Sequence, residues 1–272
     1  MARVRAGEAA NPAPPTVQKV RLRFAKRGRL RFLSHRDVAR SFERAVRRAG
    51  VPVAHSHGFS PHPRLSWVGA APTGAASEAE FVELGLTREV DPESLRAALD
   101  AALPDGLDVL DAAVATAPAL ADRIDAGRWR LEVRGVPRAE VEAAVAALLA
   151  RETVVVTRVT PSGRKEIDVR AALVAVVVEP VADAGTGDGT PDAVAGSPDA
   201  ATDCAILTVV VRQTTPTVRP DDVLGALNVV ADLTPPVPVT ATRLAQGLLD
   251  DGGGLVDPLG AAPVTRSRPA GS

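Results

Sequence analysis

The chain reads as an α+β protein of two ferredoxin-like halves, each a βαββαβ unit with an antiparallel sheet. Three observations predict this. Segments alternating apolar and polar side chains at period 2 are interleaved with segments of helical period, in the order β-α-β-β-α-β, over residues 19–117. A second series with a similar order occupies residues 127–245. Stretches without periodicity fall at the ends and at 183–203, where the chain is expected to be disordered.

Residues 1–18 are Ala-, Pro- and Gly-rich and are expected to be a disordered N-terminus. Val20, Leu22 and Phe24 then alternate with Arg21, Arg23 and Ala25, as in a strand with one buried and one basic face. Lys26-Arg27-Gly28 predicts a turn, after which Leu30 and Phe32 extend the alternation to Ser34. Ser34 three residues before Asp37 forms a helix-capping pattern. Steps of 100° put Val38, Phe42, Ala45, Val46 and Ala49 on one helix face and Arg36, Arg40, Arg44 and Arg47 opposite. Gly50 and Pro52 stop the helix.

His55 to Pro63, interrupted by Gly58, Pro61 and Pro63, predicts a shaped loop. Strands follow at 64–68 and 79–86, a helix at 91–103 capped by Asp91, and a strand at 107–114. The second series predicts strands at 128–134, 153–159, 170–179, 204–212 and 237–244, with helices at 137–150 and 220–229. Ser162-Gly163-Arg164-Lys165 reads as a basic hairpin turn, because no Gly-rich cradle leads there into a helix. Asp183 to Asp203 carries five Asp and no cation, which predicts a solvated acidic hairpin extension, and residues 246–272 are expected to be a disordered tail.

Composition narrows the functional classes. At 272 residues and 46% apolar content the chain can bury one large or two smaller cores. It has no membrane-length apolar run and its first residues lack an apolar signal segment, so a cytoplasmic protein is expected. Cys204 is the only cysteine, which excludes a disulfide framework and leaves no cysteine motif for an iron–sulfur cluster in this chain.

The unusual chemistry is concentrated between Lys19 and Trp67. All four histidines (His35, His55, His57 and His62) lie there, and between Lys19 and Arg48 twelve Lys/Arg oppose only Asp37 and Glu43. Arg21, Arg23, Arg29 and Arg31, together with the stripe Arg36, Arg40, Arg44 and Arg47, would present a positive surface suited to a polyanion, with RNA the best candidate. A dock for an acidic protein and a plain solvated face are the alternatives. Stacking platforms are few: there is no Tyr, and Phe59, Phe32 and Trp67 are the candidates.

His35 and His62 are candidate catalytic residues, because imidazoles converging from a helix start and a loop could act as general base and acid in RNA cleavage. With Asp37 they could instead bind a metal, although the spacing is not diagnostic. The structural alternative is that His35 packs in the first helical turn and His62 holds the loop by hydrogen bonds. Ser34, Asp37, Ser56, Gly58, Phe59, Pro61 and Arg64 complete the candidate binding loop, Gly58 for a close backbone approach and Pro61 with Pro63 for stiffness.

The motifs Ser34-His35-x-Asp37 and Ser56-x-Gly58-Phe59-Ser60-Pro61-His62-Pro63-Arg64 resemble a bacterial family of radical SAM-linked, or radical SAM-associated, proteins, a domain of unknown function of the DUF2344 type. The resemblance covers most of residues 19–245. It implies a chain that is encoded with, or fused to, radical SAM and cobalamin-binding enzymes, in some bacteria near a ribonuclease E/G-type gene. This sequence departs from the family pattern at Arg36, His55 and His57, so the resemblance carries over only His35 and His62 of the histidines. The radical chemistry it implies belongs to a separately encoded partner. The expectation is an accessory protein that binds RNA or an RNA-modifying assembly; the alternatives are a metal-independent RNA-processing hydrolase using the His pair, and a protein-only adaptor.

Overall fold

The structure, a computed structural model, describes residues 14–57, 61–160, 163–179 and 204–260. It is a mixed α/β fold with a mostly antiparallel sheet, and the chain divides into two compact units. One takes the described residues within Met1–Ala70 and Glu80–Ala121, the other those within Ala71–Ala79 and Asp122–Ser272.

In the first unit the order is β1 (Gln18–Lys26), α1 (His35–Arg48), β2 (Leu65–Val68), β3 (Ala76–Leu86), α2 (Pro92–Asp100) and β4 (Val109–Val114). Its strands lie in the order β4-β1-β3, with β2 antiparallel on β3 in the register Leu65↔Leu84 to Val68↔Phe81. Alternation decides which side of each strand is buried. Val20, Leu22 and Phe24 of β1 and Val82, Leu84 and Leu86 of β3 pack with Val38, Phe42 and Val46 of α1 and with Leu95 and Leu99 of α2 in one core. The apolar face predicted for α1 is the buried one, joined by Ser41.

One expectation fails here. Leu30 and Phe32 do not extend β1, because Gly28 takes φ +53° and turns the chain into a 3-10 helix, Gly28–Phe32. Leu30 then leans on the core and Phe32 is left 58% exposed. Two residues of equal hydrophobicity therefore have different fates, and only the turn distinguishes them.

The second unit contains β5 (Ala126–Arg134), α3 (Arg138–Leu149), β6 (Val155–Thr160), β7 (Gly163–Asp168), α4 (Val169–Ala172), β8 (Leu173–Glu179), β9 (Cys204–Arg212), α5 (Pro220–Ala231), β10 (Thr240–Leu249) and β11 (Leu255–Val256). Its strands run β10-β5-β9-β8, and Ala76 and Ser77, the start of β3, which belongs to this second unit, pair parallel with Thr242 and Arg243 of β10. Leu131, Val133, Val141, Leu148, Leu207, Val209, Val223 and Leu227 build its core.

The strand expected at 153–159 leaves this sheet and pairs instead with β7 as a separate two-stranded hairpin. The Arg158 guanidinium holds it to α5, reaching both oxygens of buried Asp222 and the Thr217 carbonyl. The expected strand at 170–179 begins one helical turn later, at Leu173, because Asp168 caps α4. Order also continues past 245: β10 runs to Leu249 and β11 returns on it, where the sequence predicts a tail. The acidic insertion 183–203, residues 261–272 of the tail and residues 1–13 of the N-terminus lie outside the described residues, as does Ser162 of the basic turn.

Candidate nucleic-acid interface

The start of α1 is held as its sequence requires. The Ser34 hydroxyl accepts from the Asp37 backbone N–H at 3.3 Å and donates to Asp37 Oδ2 at 2.6 Å. The hydrogen bond from Ser34, aided by the charges of Arg40 and Arg44, holds the Asp37 carboxyl below the usual carboxylate range. Asp37 is thus an anion fixed at the positive end of its own helix.

The next residue, His35, is exposed but not loose. Its ring stands edge-on to Trp67, 5.4 Å between centroids at 87°. Trp67 in turn stands edge-on to Phe42 at 5.1 Å and to Phe24 at 5.9 Å, so His35 is the outermost member of an aromatic stack rooted in the first unit's core.

The histidine loop is an excursion from the edge of β3. Val53 bridges Leu86, the Ala54 N–H donates to the Gly85 carbonyl at 2.7 Å, and the Gly85 N–H donates to the Arg64 carbonyl at 3.0 Å. Across the neck the Arg64 N–H donates to the Ala54 carbonyl at 2.7 Å and the Ser56 N–H to the His62 carbonyl at 2.9 Å. The Ser56 hydroxyl accepts from the His62 N–H at 3.0 Å. Ser56 therefore closes the loop, while Pro61, His62 and Arg64 are exposed, as are His55 and His57. His62 is held through its backbone, and its imidazole is presented to solvent. Gly58 and Phe59 lie outside the described residues. Trp67 on β2 follows this loop and carries His35, so one short strand connects the two motifs.

The eight candidate arginines divide into two groups. Arg21 is 3% exposed, its Nε 3.0 Å from Glu83 Oε2 and its Nη2 2.7 Å from the Pro118 carbonyl. Arg23 binds Asp111 through Nε at 2.6 Å. Both belong to ion pairs on β1 and leave the basic strand face expected from alternation largely neutralised. Burial pushes the Glu83 carboxyl up, but hydrogen bonds from Lys19 and Arg21 outweigh it and the net direction is down.

The second group faces solvent. Arg29, Arg36, Arg40, Arg44 and Arg47 are exposed, and Arg31 lies over the exposed Phe32 ring, 4.6 Å from its centroid. Among the described residues only Arg40 of the α1 arginines approaches a carboxylate, Asp37 at 3.8 Å, while Arg44 donates to the Ser41 hydroxyl at 3.0 Å. Arg29, Arg36 and Arg47 make no ion pair with a described residue.

Sequence reasoning missed the Arg31–Phe32 pair, because it placed Phe32 in a strand. It also missed Glu83 as the partner of Lys19 and Arg21, although opposite charges at the non-core positions of neighbouring strands were a legible signal. For the metal alternative, no group of three or more His, Cys, Asp or Glu able to hold an ion comes together among the described residues. Nor, among them, is any helix long and apolar enough to cross a membrane.

Residues 19–220 match the model of a family described as an uncharacterized protein conserved in bacteria, DUF2344. No curated protein matches the chain.

Proposed function

The chain belongs to the bacterial family DUF2344, and from that premise, with the geometry of α1, we propose that it is an accessory protein that binds single-stranded RNA through its first unit. One observation carries the reading: the solvent side of α1 bears Arg36, Arg40, Arg44 and Arg47, with Asp37 the only carboxylate among the described residues within 4 Å of any of them. Four guanidinium groups on one helix face match a phosphate backbone, and each forks onto two phosphate oxygens. The Arg31–Phe32 pair just before the helix adds an aromatic face on which a base can stack. Arg29 extends the positive surface along the same turn. Arg21 and Arg23, committed to Glu83 and Asp111, are left out of the proposed surface.

The resemblance carried by the SHRD and SHGFSPHPR motifs supports the finer part of the proposal, that the RNA is presented to a separately encoded radical SAM enzyme. We also infer that each unit is ferredoxin-like. The strand orders β4-β1-β3 with β2 on β3 in the first, and β10-β5-β9-β8 in the second, support that inference.

The test is binding of a fluorescein-labelled single-stranded RNA to the full chain at low salt, with Arg36→Gln/Arg47→Gln as the variant. Saturable binding weakened by that variant supports the reading, and no binding at low salt ends it. Cleavage of the RNA that disappears in both His35→Ala and His62→Ala would move the conclusion to the hydrolase. For the partner, cross-linking and affinity isolation from the bacterial host should recover an iron–sulfur enzyme, and its consistent absence counts against the association.

A further inference from the structure

The ion pair formed by Arg21 borders a cavity of about 310 Å³ in the first unit. Lys19, Arg21 and Glu83 form its polar side, and the turn of residues 115–119, mostly Ala and Pro, forms the apolar side. Burying a guanidinium is costly unless its donors are used. Arg21, whose side chain is 4% exposed, uses Nε on Glu83 and Nη2 on the Pro118 carbonyl, but Nη1 has no partner among the described residues. Charge is also unbalanced, since Lys19 at 2.9 Å and Arg21 at 3.0 Å share the single carboxylate of Glu83. The pocket therefore holds one net positive charge and unused guanidinium donors beside an apolar wall.

We propose that this cavity binds a small monocarboxylate with a short apolar body. The carboxylate takes the Arg21 Nη1 donors and the Lys19 ammonium, and the body lies against Ala115, Ala117 and Pro118. A monoanion neutralises the pocket, whereas a dianion such as phosphate would leave it net negative beside Glu83. The volume lies at the lower end of ordinary ligand sites, roughly 300–1,000 Å³, which limits the ligand to a small one. None of these residues belongs to the proposed RNA surface, so this inference stands or falls apart from that one.

The experiment is calorimetric titration of the full chain with benzoate and hexanoate, with benzamide and inorganic phosphate as controls. A saturable carboxylate isotherm is expected, with benzamide and phosphate silent. Because Arg21→Met risks unfolding the sheet, two milder variants decide. Lys19→Gln, at a side chain 60% exposed, should weaken binding about tenfold through loss of one charge-assisted hydrogen bond. Ala119→Trp, at an exposed rim position, should abolish binding while the melting temperature stays near the parent's. The proposal is overturned by the absence of a saturable isotherm with either carboxylate, by phosphate binding as tightly as they do, or by unchanged affinity in both variants.

Discussion

Replacing Arg36 and Arg47 with Gln tests the RNA surface quantitatively. Both residues are exposed and neither has an ion-pair partner among the described residues, so the change removes charge without disturbing the core. They are eleven positions apart on one helix, roughly 16 Å at about 1.5 Å per residue, so they meet different phosphates. On single strands each phosphate contact contributes roughly 0.7 to the slope of log affinity against log salt. Losing two should lower that slope by about 1.4. Between 50 and 200 mM KCl this means that the variant's affinity deficit shrinks by about sevenfold as salt rises. Fluorescence polarisation with a labelled single-stranded RNA across that range measures it, and Arg23→Gln, at an ion-paired position, serves as the comparison. Equal slopes for parent and double variant, or a larger effect from Arg23→Gln, would refute the assignment of the surface to α1.

Phe42 is fully buried and touches both Phe24 and Trp67, so Phe42→Ala should cost about 3–5 kcal/mol in urea unfolding followed by Trp fluorescence; a loss below about 1 kcal/mol would contradict the packing. Arg158→Ala leaves the Asp222 carboxylate buried without its cation, and about 3 kcal/mol should be lost in the same assay, with partial recovery in Arg158→Ala/Asp222→Asn. The folded Glu83 pKa is depressed, so its contribution is present above the ordinary Glu value of about 4.3 and is lost as pH falls through the lower folded value. The stability difference between the parent and Glu83→Gln should accordingly shrink as pH is lowered from about 5 to 3. A difference that stays constant over that range would show that the ion pair does not carry the effect.

Much of the first unit was legible because its signals are local. The Ser34/Asp37 cap, the two-sided pattern of α1 and its stop at Gly50 each depend on residues within a turn or two, and the structure has them in place. The β5 and β9 strands were legible for the same reason, Arg128 to Arg134 alternating along β5 and β9 being rich in β-branched residues. What failed depended on distant partners. Leu30 and Phe32 continue the alternation of β1 without error, yet the chain turns at Gly28, where the Arg27 N–H donates to the Gly106 carbonyl of a distant turn. The strand at 153–159 has good β propensity, but nothing local says that it pairs with β7 and is tied to Asp222, 64 residues away.

By itself the sequence determined where the positive charge and the imidazoles are concentrated, the helix that displays the arginines, and the presence of a single cysteine, Cys204. Those properties follow from composition and from periods of two and 3.6 residues, which act over short distances. Only the tertiary structure decided which cations are available. Arg21 and Arg36 are indistinguishable as letters, but one lies on a strand whose neighbour offers Glu83 and the other on a helix face with open solvent before it. The energy of a charge depends on what surrounds it, and those surroundings are assembled by residues far apart in the chain.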